Sequence, residues 1–496
     1  MPERGNDMYF LDEKEIREFE IIRLIGTEKK YWPISEISHI LNYNLDAVYK
    51  ALDDIALYLA KNAPGTQLII KKGIGAYLKK NDDLPVDAII EKYMTSSVAY
   101  LLLDSTFNYP HLRARQFYEQ HFITKSTFYL KLKRLQNILH KSHLGIQTNP
   151  LRITGPEIWV RECYYHLYWL VYKGRTWPFR SISREVLVYE LDEFLRKVDV
   201  YVNAIEKEQL LYRLAVKYMR HAQKRYVEEM ILQDCVPPQV TQFIRDYGES
   251  LINDVPAQHK DLEEKYLTIA ISNLMYPKAR DSTATGLIAW HRQQQTLPYK
   301  IAASFFEEFT KCYPDIIIED NDHLWLDFIN ANFYGLSLPY LYIYQDVRAQ
   351  ADYFKAENPG LWMVLDKITV HLFDPKRLKH VSAPPIYFCY KYMVLIVERF
   401  AMKKYEPRLQ VALFTSQDNA ILNKLKSQIL RKLDLNIEIS TQDIPKIVDL
   451  MISETTTVSG NSDRVFIWNF PPTQGDWVRL EERLKGIRDG KLGGMD

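Results

Sequence analysis

Between Thr124 and Leu139 (TKSTFYLKLKRLQNIL), Phe128, Leu132, Leu135 and Leu139 recur at helical spacing and fall on one face. The opposite face carries Ser126, Tyr129, Leu130, Lys133, Arg134 and Asn137. Thr124 offers a hydroxyl to cap the first turn. Upstream, Arg113–Phe122 has its own apolar and aromatic positions and no proline, and only Ile123–Thr124 separates the two stretches. The pattern predicts a helix-turn-helix. Leu144–Ile153 (LGIQTNPLRI) then reads strand, Asn-Pro turn, strand, a hairpin placed like the wing of a winged helix.

A similar order occurs once before. Glu13–Ile25 predicts a first helix, Ile34–Leu41 a short one and Leu45–Leu59 a longer one, with Val48, Leu52, Ile55 and Leu59 in phase. Leu68–Leu78 (LIIKKGIGAYL) predicts a hairpin turned at Gly73. A polar linker at Asn81–Pro85 and one helix over Val86–Asp104 lead into the second module. From Glu157 to about Gln294 the pattern is amphipathic helices: Ile158–Tyr172, Arg184–Val198, Glu206–Ile231, Pro238–Asn253 and Asp261–Leu274. A second helical run follows: Tyr299–Tyr313, Asn321–Tyr334, Asp346–Asn358, Gly360–Leu372 and Pro385–Phe400. The last segment alternates strand and helix. Strands are expected at Leu409–Phe414, Leu435–Ile439 and Arg464–Phe470, and helices at Asn419–Leu433, Ile444–Ile452 and Asp476–Ile487. This order implies a small parallel α/β sheet, with a loose glycine-rich tail from Arg488.

Charge changes the picture at one place. The whole chain has a formal net charge of +1, so attraction to a polyanion must come from a patch. From His111 to Arg152 the cations are Arg113, Arg115, Lys125, Lys131, Lys133, Arg134, Lys141 and Arg152, against the single acid Glu119. Such a local excess on a helix-turn-helix is a phosphate-binding footprint. Lys125, Ser126 and Tyr129 open the second helix, where base edges are reached. Lys133, Arg134, Arg152, Arg113 and Arg115 are candidate phosphate contacts. In the earlier module Tyr49 and Lys50 stand among Asp46, Asp53 and Asp54, so a weaker DNA contact or a positioning role is expected there. An ordinary amphipathic helix with a solvated basic face gives the same periodicity.

Four separated cysteines, Cys163, Cys235, Cys312 and Cys389, include no C-x-x-C pair. Neither a structural zinc nor a redox pair is signalled, and a reducing cytoplasm is expected. No apolar run approaches a membrane span, and the start MPERGNDMYF shows no cleavage signal. Nucleotide-binding and hydrolase motifs are absent, so no cofactor and no enzymatic activity are expected. The acidic stretch Glu319, Asp320, Asp322 and His323 has metal-capable atoms, but acids before a helix start are the commoner arrangement and no metal is assigned. Tyr164, Tyr165, Tyr168 and Trp169 form an aromatic run suited to core packing or a domain interface.

The layout resembles the Mga/AtxA-like virulence regulators of Gram-positive bacteria over nearly the whole chain. The most specific stretches are the paired helix-turn-helix modules, LRITGPEIWVRECYYHLYW at Leu151–Trp169 and IIIEDNDHLWLDFIN at Ile316–Asn330. The resemblance implies a mainly α, multidomain protein in five parts. Two N-terminal winged helix-turn-helix domains (1–82 and a basic one at 83–156) precede two all-α bundles like phosphotransferase regulation domains (157–294 and 295–404). A small α/β domain like a phosphotransferase IIB subunit (405–496) closes the chain. It implies a homodimeric transcription regulator that binds double-stranded DNA, joined through its C-terminal domain and bundles, and a link to a sugar-phosphotransferase phosphocarrier. The chain departs from that pattern in three places. Glu206-Lys207-Glu208 stands where the first bundle commonly has a phosphorylated histidine, Leu326–Asn330 holds no histidine, and Thr415-Ser416-Gln417-Asp418 replaces the IIB cysteine loop. His221, His259, His323 and His371 remain as candidate phosphate acceptors. The alternative reading is a phosphocarrier or interaction protein whose helix-turn-helix modules do not bind DNA.

Overall fold

The computed structural model describes residues 10–494 except 82–83, 276–280, 319–320, 339–346, 375, 377, 379–382, 442–446 and 456–463. It is mainly helical and divides into two units, residues 1–294 with 333–346, and residues 295–332 with 347–496.

The first unit opens with α1 (Glu13–Ile25), started by a reciprocal Asp12/Glu15 capping box. Then come α2 (Ile34–Ile40), α3 (Leu45–Asn62) and the antiparallel hairpin β1 (Gln67–Lys71) with β2 (Gly75–Lys79). Trp32 and Ala76 exchange backbone hydrogen bonds of 2.8 and 2.9 Å beside Gly75. Gly75 has φ +137°, and a Cβ there would lie 2.1 Å from the Trp32 carbonyl oxygen, so the close approach requires glycine.

The single helix expected over Val86–Asp104 is two, α4 (Val86–Thr95) and α5 (Val98–Asn108). Ser96 donates its hydroxyl to Tyr93 O at 2.7 Å, and Ser97 Oγ accepts the Tyr100 N–H at 3.1 Å. The two hydroxyls compete with the helical ladder and cap a new start. Next are α6 (Ala114–Gln120), α7 (Lys125–Lys141) and the antiparallel pair β3 (Gly145–Thr148) and β4 (Leu151–Thr154).

The rest of the unit comprises α8 (Glu157–Tyr172), α9 (Arg184–Lys197), α10 (Ala204–Ala222), α11 (Pro238–Tyr247), α12 (Glu249–Ile252), α13 (Lys260–Met275) and α14 (Asp281–Gln294). Three expectations are corrected here. The helix expected to reach Ile231 stops at Ala222, because the chain turns to meet buried charges: Arg161 donates to Arg225 O at 3.0 Å, and the Val227 N–H reaches Glu263 at 2.9 Å. The helix expected over Pro238–Asn253 breaks at Gly248. Helix α14 lies where apolar spacing predicts no element.

The aromatic run of α8 is core. Tyr164 and Tyr168 are buried, with rings 4.5 and 5.3 Å from Phe107 of α5. Their hydroxyls meet Thr106 Oγ1 at 3.0 Å and Asp104 Oδ1 at 2.9 Å, so burial leaves neither unsatisfied. One turn away Arg161, with no exposed side chain, forks onto Glu263 through two 2.7 Å bonds.

In the second unit α15 (Leu297–Cys312), most of α16 (Asp322–Ser337), α17 (Val347–Glu357), α18 (Pro359–Leu372) and α19 (Pro385–Arg399) pack around aromatic residues. Phe305, Phe328 and Tyr392 have ring centroids within 4.5–5.0 Å of one another, and the Tyr392 hydroxyl donates to the Asn332 side chain. Then β5 (Leu409–Leu413), α20 (Asn419–Lys432), β6 (Ile437–Ser440), β7 (Leu450–Ser453), β8 (Val465–Ile467) and α21 (Gln474–Leu492) build an all-parallel sheet in the order β6-β5-β7-β8.

The helix expected over Ile444–Ile452 is corrected. Residues 442–446 lie outside those described, and Leu450 and Ile452 are fully buried strand residues between β5 and β8. The tail expected to be loose continues α21 to Leu492, held where buried Arg488 donates to Ala356 O at 2.8 Å and Lys491 meets Asp449 at 2.6 Å. No helix among the described residues is long and apolar enough to cross a membrane.

Candidate nucleic-acid interface

Helix α7 is placed by its own sequence. Thr124 Oγ1 accepts the Thr127 N–H at 3.1 Å, and Phe128, Leu132, Leu135, Ile138 and Leu139 are buried. Phe128 packs 5.6 Å from Phe117 of α6, which fixes the angle of the pair. The remaining face is open. Lys125, Ser126, Tyr129 and Lys133 are exposed in succession along it, and the Ser126 hydroxyl is held 2.8 Å from the capping Thr124. Arg113 is exposed at the start of α6.

Other predicted contacts are partly engaged. Arg115 is paired with Glu119 at 2.7 Å, and Arg152 lies across the hairpin from Gln147, donating to it at 2.9 Å. Lys131 does not belong to the open face: it is paired with Asp12 at 2.5 Å and lies 3.5 Å from Glu15 of α1. Arg134 is half-buried on that same side. Burial would raise the Asp12 carboxyl, but the Lys131 hydrogen bond, the Glu15 N–H and then the charges of Lys131 and Arg134 outweigh it and hold the carboxyl below its usual range. The basic run therefore splits, one part docking the first module and the other facing outward. Sequence spacing missed Phe122, which sits 96% exposed in the turn at φ +53°.

The earlier module repeats the geometry with different chemistry. Asn42 occupies the left-handed turn position and Asn44 caps α3 through the Ala47 N–H at 2.7 Å. Tyr49 and Lys50 are exposed on α3. Asp53 is exposed on α3 as well, and Asp54 pairs with Lys14 at 2.9 Å. This face presents both signs.

Residues 82–168 match the Mga helix-turn-helix domain family. These residues are an Mga helix-turn-helix domain. Along 96% of its length the chain is 21% identical to the whole of the capsule synthesis positive regulator AcpB of Bacillus anthracis. It is 20% identical to the capsule synthesis positive regulator AcpA of the same organism, over 62% of each chain. It is also 21% identical to that organism's anthrax toxin expression trans-acting positive regulator, over 42% of this chain and 43% of that protein. The Mga domain implies DNA binding, and its match runs past β4 into α8, the helix whose tyrosines complete the packing of α5.

Outside the Mga domain the candidate histidines divide between the two units, His221 and His259 in the first and His323 and His371 in the second. His221 is buried, with Nδ1 2.7 Å from Asp254 and Nε2 3.2 Å from Glu263, the latter off the line of a hydrogen bond. Both ring nitrogens are thus shielded by carboxylates, which removes His221 as an accessible acceptor. His259 stacks on Tyr226 at 4.8 Å, His323 is half-buried near the start of α16, and His371 is exposed at the end of α18. In the acidic stretch, Glu319 and Asp320 lie outside the described residues, and no metal-ligating cluster occurs among the described ones. After β5, Thr415 and Ser416 both donate hydroxyls to Glu454, which holds that carboxyl below its usual range despite partial burial.

Proposed function

We propose that the chain is a trans-acting positive regulator of transcription of the Mga/AtxA type, not an enzyme. It works by laying α7 in the major groove of double-stranded DNA. The observation that carries this reading is the row Lys125, Ser126, Tyr129 and Lys133, which is exposed along one face of a capped, well-packed helix. Lys125, Ser126 and Tyr129 read base edges, Lys133 and Arg113 hold phosphates, and the β3–β4 hairpin serves as a wing that brings Arg152 to the backbone. The mixed-sign face of α3, with Tyr49 and Lys50, makes a weaker contact or positions its neighbour. Relatives named as positive regulators support activation over repression.

The helical regions then act as two phosphotransferase-regulation-like bundles, and the C-terminal sheet as a IIB-like domain that helps to form a homodimer. A phosphocarrier would act on a histidine other than His221, because its ring nitrogens are covered.

An electrophoretic shift series over salt concentration tests the DNA reading. Lys125→Ala with Lys133→Ala should weaken binding and flatten the slope of log K against log salt by about 0.9 for each phosphate that is no longer neutralised. Unchanged affinity and slope would reject the assignment of α7.

A further inference from the structure

A second cationic feature lies away from α7. The end of α5, the β3–β4 hairpin and the end of α10 enclose a cleft of about 670 Å³. This is within the range of small-molecule sites, roughly 300–1,000 Å³. Its walls include His111, Arg152, Arg220, Lys224 and Arg225, drawn from three separate stretches of chain. One carboxylate, Glu157, lines it among the described residues. Glu157 is already engaged by Arg220 at 2.9 and 2.7 Å and by Arg161 at 3.1 Å. Lys224 and Arg225 are exposed, and neither side chain meets a carboxylate among the described residues. Lys224 holds φ +56°, a left-handed turn that places both cations just beyond the end of α10. The cleft is therefore a recess lined by more positive than negative charge, suited to a compact, multiply charged oxyanion. Lys125, Ser126, Tyr129 and Lys133 do not line it, so the base-reading row and the cleft share no residue; Arg152 alone is common to the wing contact and the cleft.

We propose that this cleft binds a small, multiply charged phosphate compound, such as a phosphate monoester or pyrophosphate, through Arg152, Lys224 and Arg225. A ligand held at both walls ties the hairpin to the end of α10. Where the DNA-binding reading holds, it thereby couples ligand to DNA affinity, and the coupling is reciprocal.

Calorimetric titration of the full-length chain, without DNA, tests the site separately from the DNA reading. The probes are glucose 6-phosphate and inorganic pyrophosphate, with glucose and sulfate as controls. The phosphates should bind saturably, glucose should not bind, and sulfate should bind at least tenfold more weakly. Lys224→Ala with Arg225→Ala should weaken binding about tenfold or more at unchanged melting temperature. Lys125→Ala with Lys133→Ala should bind the phosphates as the native chain does. Absence of binding at millimolar concentration, equal binding of sulfate, or indifference to the Lys224/Arg225 change overturns the proposal. So does displacement of the phosphates by a short DNA duplex that depends on those two residues, since it would make the cleft a backbone contact.

Discussion

Neutralising Glu263 should loosen the first helical bundle more than any surface change. The Arg161 guanidinium is wholly buried and is held by both Glu263 oxygens at 2.7 Å. Its other partners are Glu157, which Arg220 shares, and the Arg225 carbonyl. In Glu263→Gln one oxygen remains to accept, but at either position the amide nitrogen faces a guanidinium N–H, together with the Val227 N–H on one side or the His221 ring on the other. Removing one partner of a buried pair costs about 3–5 kcal/mol, and the retained oxygen places this case at about 3 kcal/mol. Hydrogen exchange followed by mass spectrometry reads that locally, which suits a chain of two units. Peptides of α8, α10 and α13 should exchange roughly a hundredfold faster. Arg161→Met combined with Glu263→Gln should cost less than the sum of the single changes, because no unpaired charge is left inside. Arg161, despite their shared burial, holds the Glu263 carboxyl below its ordinary 4.5. The contribution is thus present above that value and is lost only as pH falls through the lowered one, so it should be constant from pH 8 to 5. Exchange within threefold of the native chain for Glu263→Gln, or strictly additive costs, would refute this account.

Burial pushes the Lys217 ammonium down from 10.5 to about 8, against the pull of Asp254 and Glu263. Between those values the unfolded chain keeps a proton that the folded chain has released, so stability should rise with pH there by about 3 kcal/mol. Lys217→Met should abolish that rise in urea melts at pH 7.5 and 10. Phe122, at φ +53° and almost fully exposed, strains the turn without packing gain. Phe122→Gly should raise stability by about 1 kcal/mol in thermal melts; a decrease would show that the ring has a hidden partner. Gly75→Ala would drive a methyl to 2.1 Å from the Trp32 carbonyl and should cost about 2 kcal/mol or more in the same melts. Thr124→Ala removes the cap of α7 and should cost about 1 kcal/mol, with faster exchange in its first turn.

The local elements follow from the order of residues alone, because periodicity and caps act within a few positions. The α6–α7 pair, the Thr124 cap, both hairpins and the exposed row Lys125, Ser126, Tyr129 and Lys133 were legible in this way. Even so, two serines divided one expected helix, since side-chain hydroxyls compete with a ladder that apolar spacing alone cannot weigh. Which charges stay free was settled by long-range packing. Lys131 and Lys133 look alike in the chain, yet one is paired with Asp12 and the other faces solvent. Only the fold could turn Leu450–Ser453 into a strand, because its partners come from β5 and β8. The cleft of Arg152, Lys224 and Arg225 gave no signal at all, because it exists only where distant segments meet. Helix formation is a short-range matter of hydrogen bonds and one apolar stripe, whereas ion pairing, parallel strand pairing and cavities depend on which remote groups burial brings together.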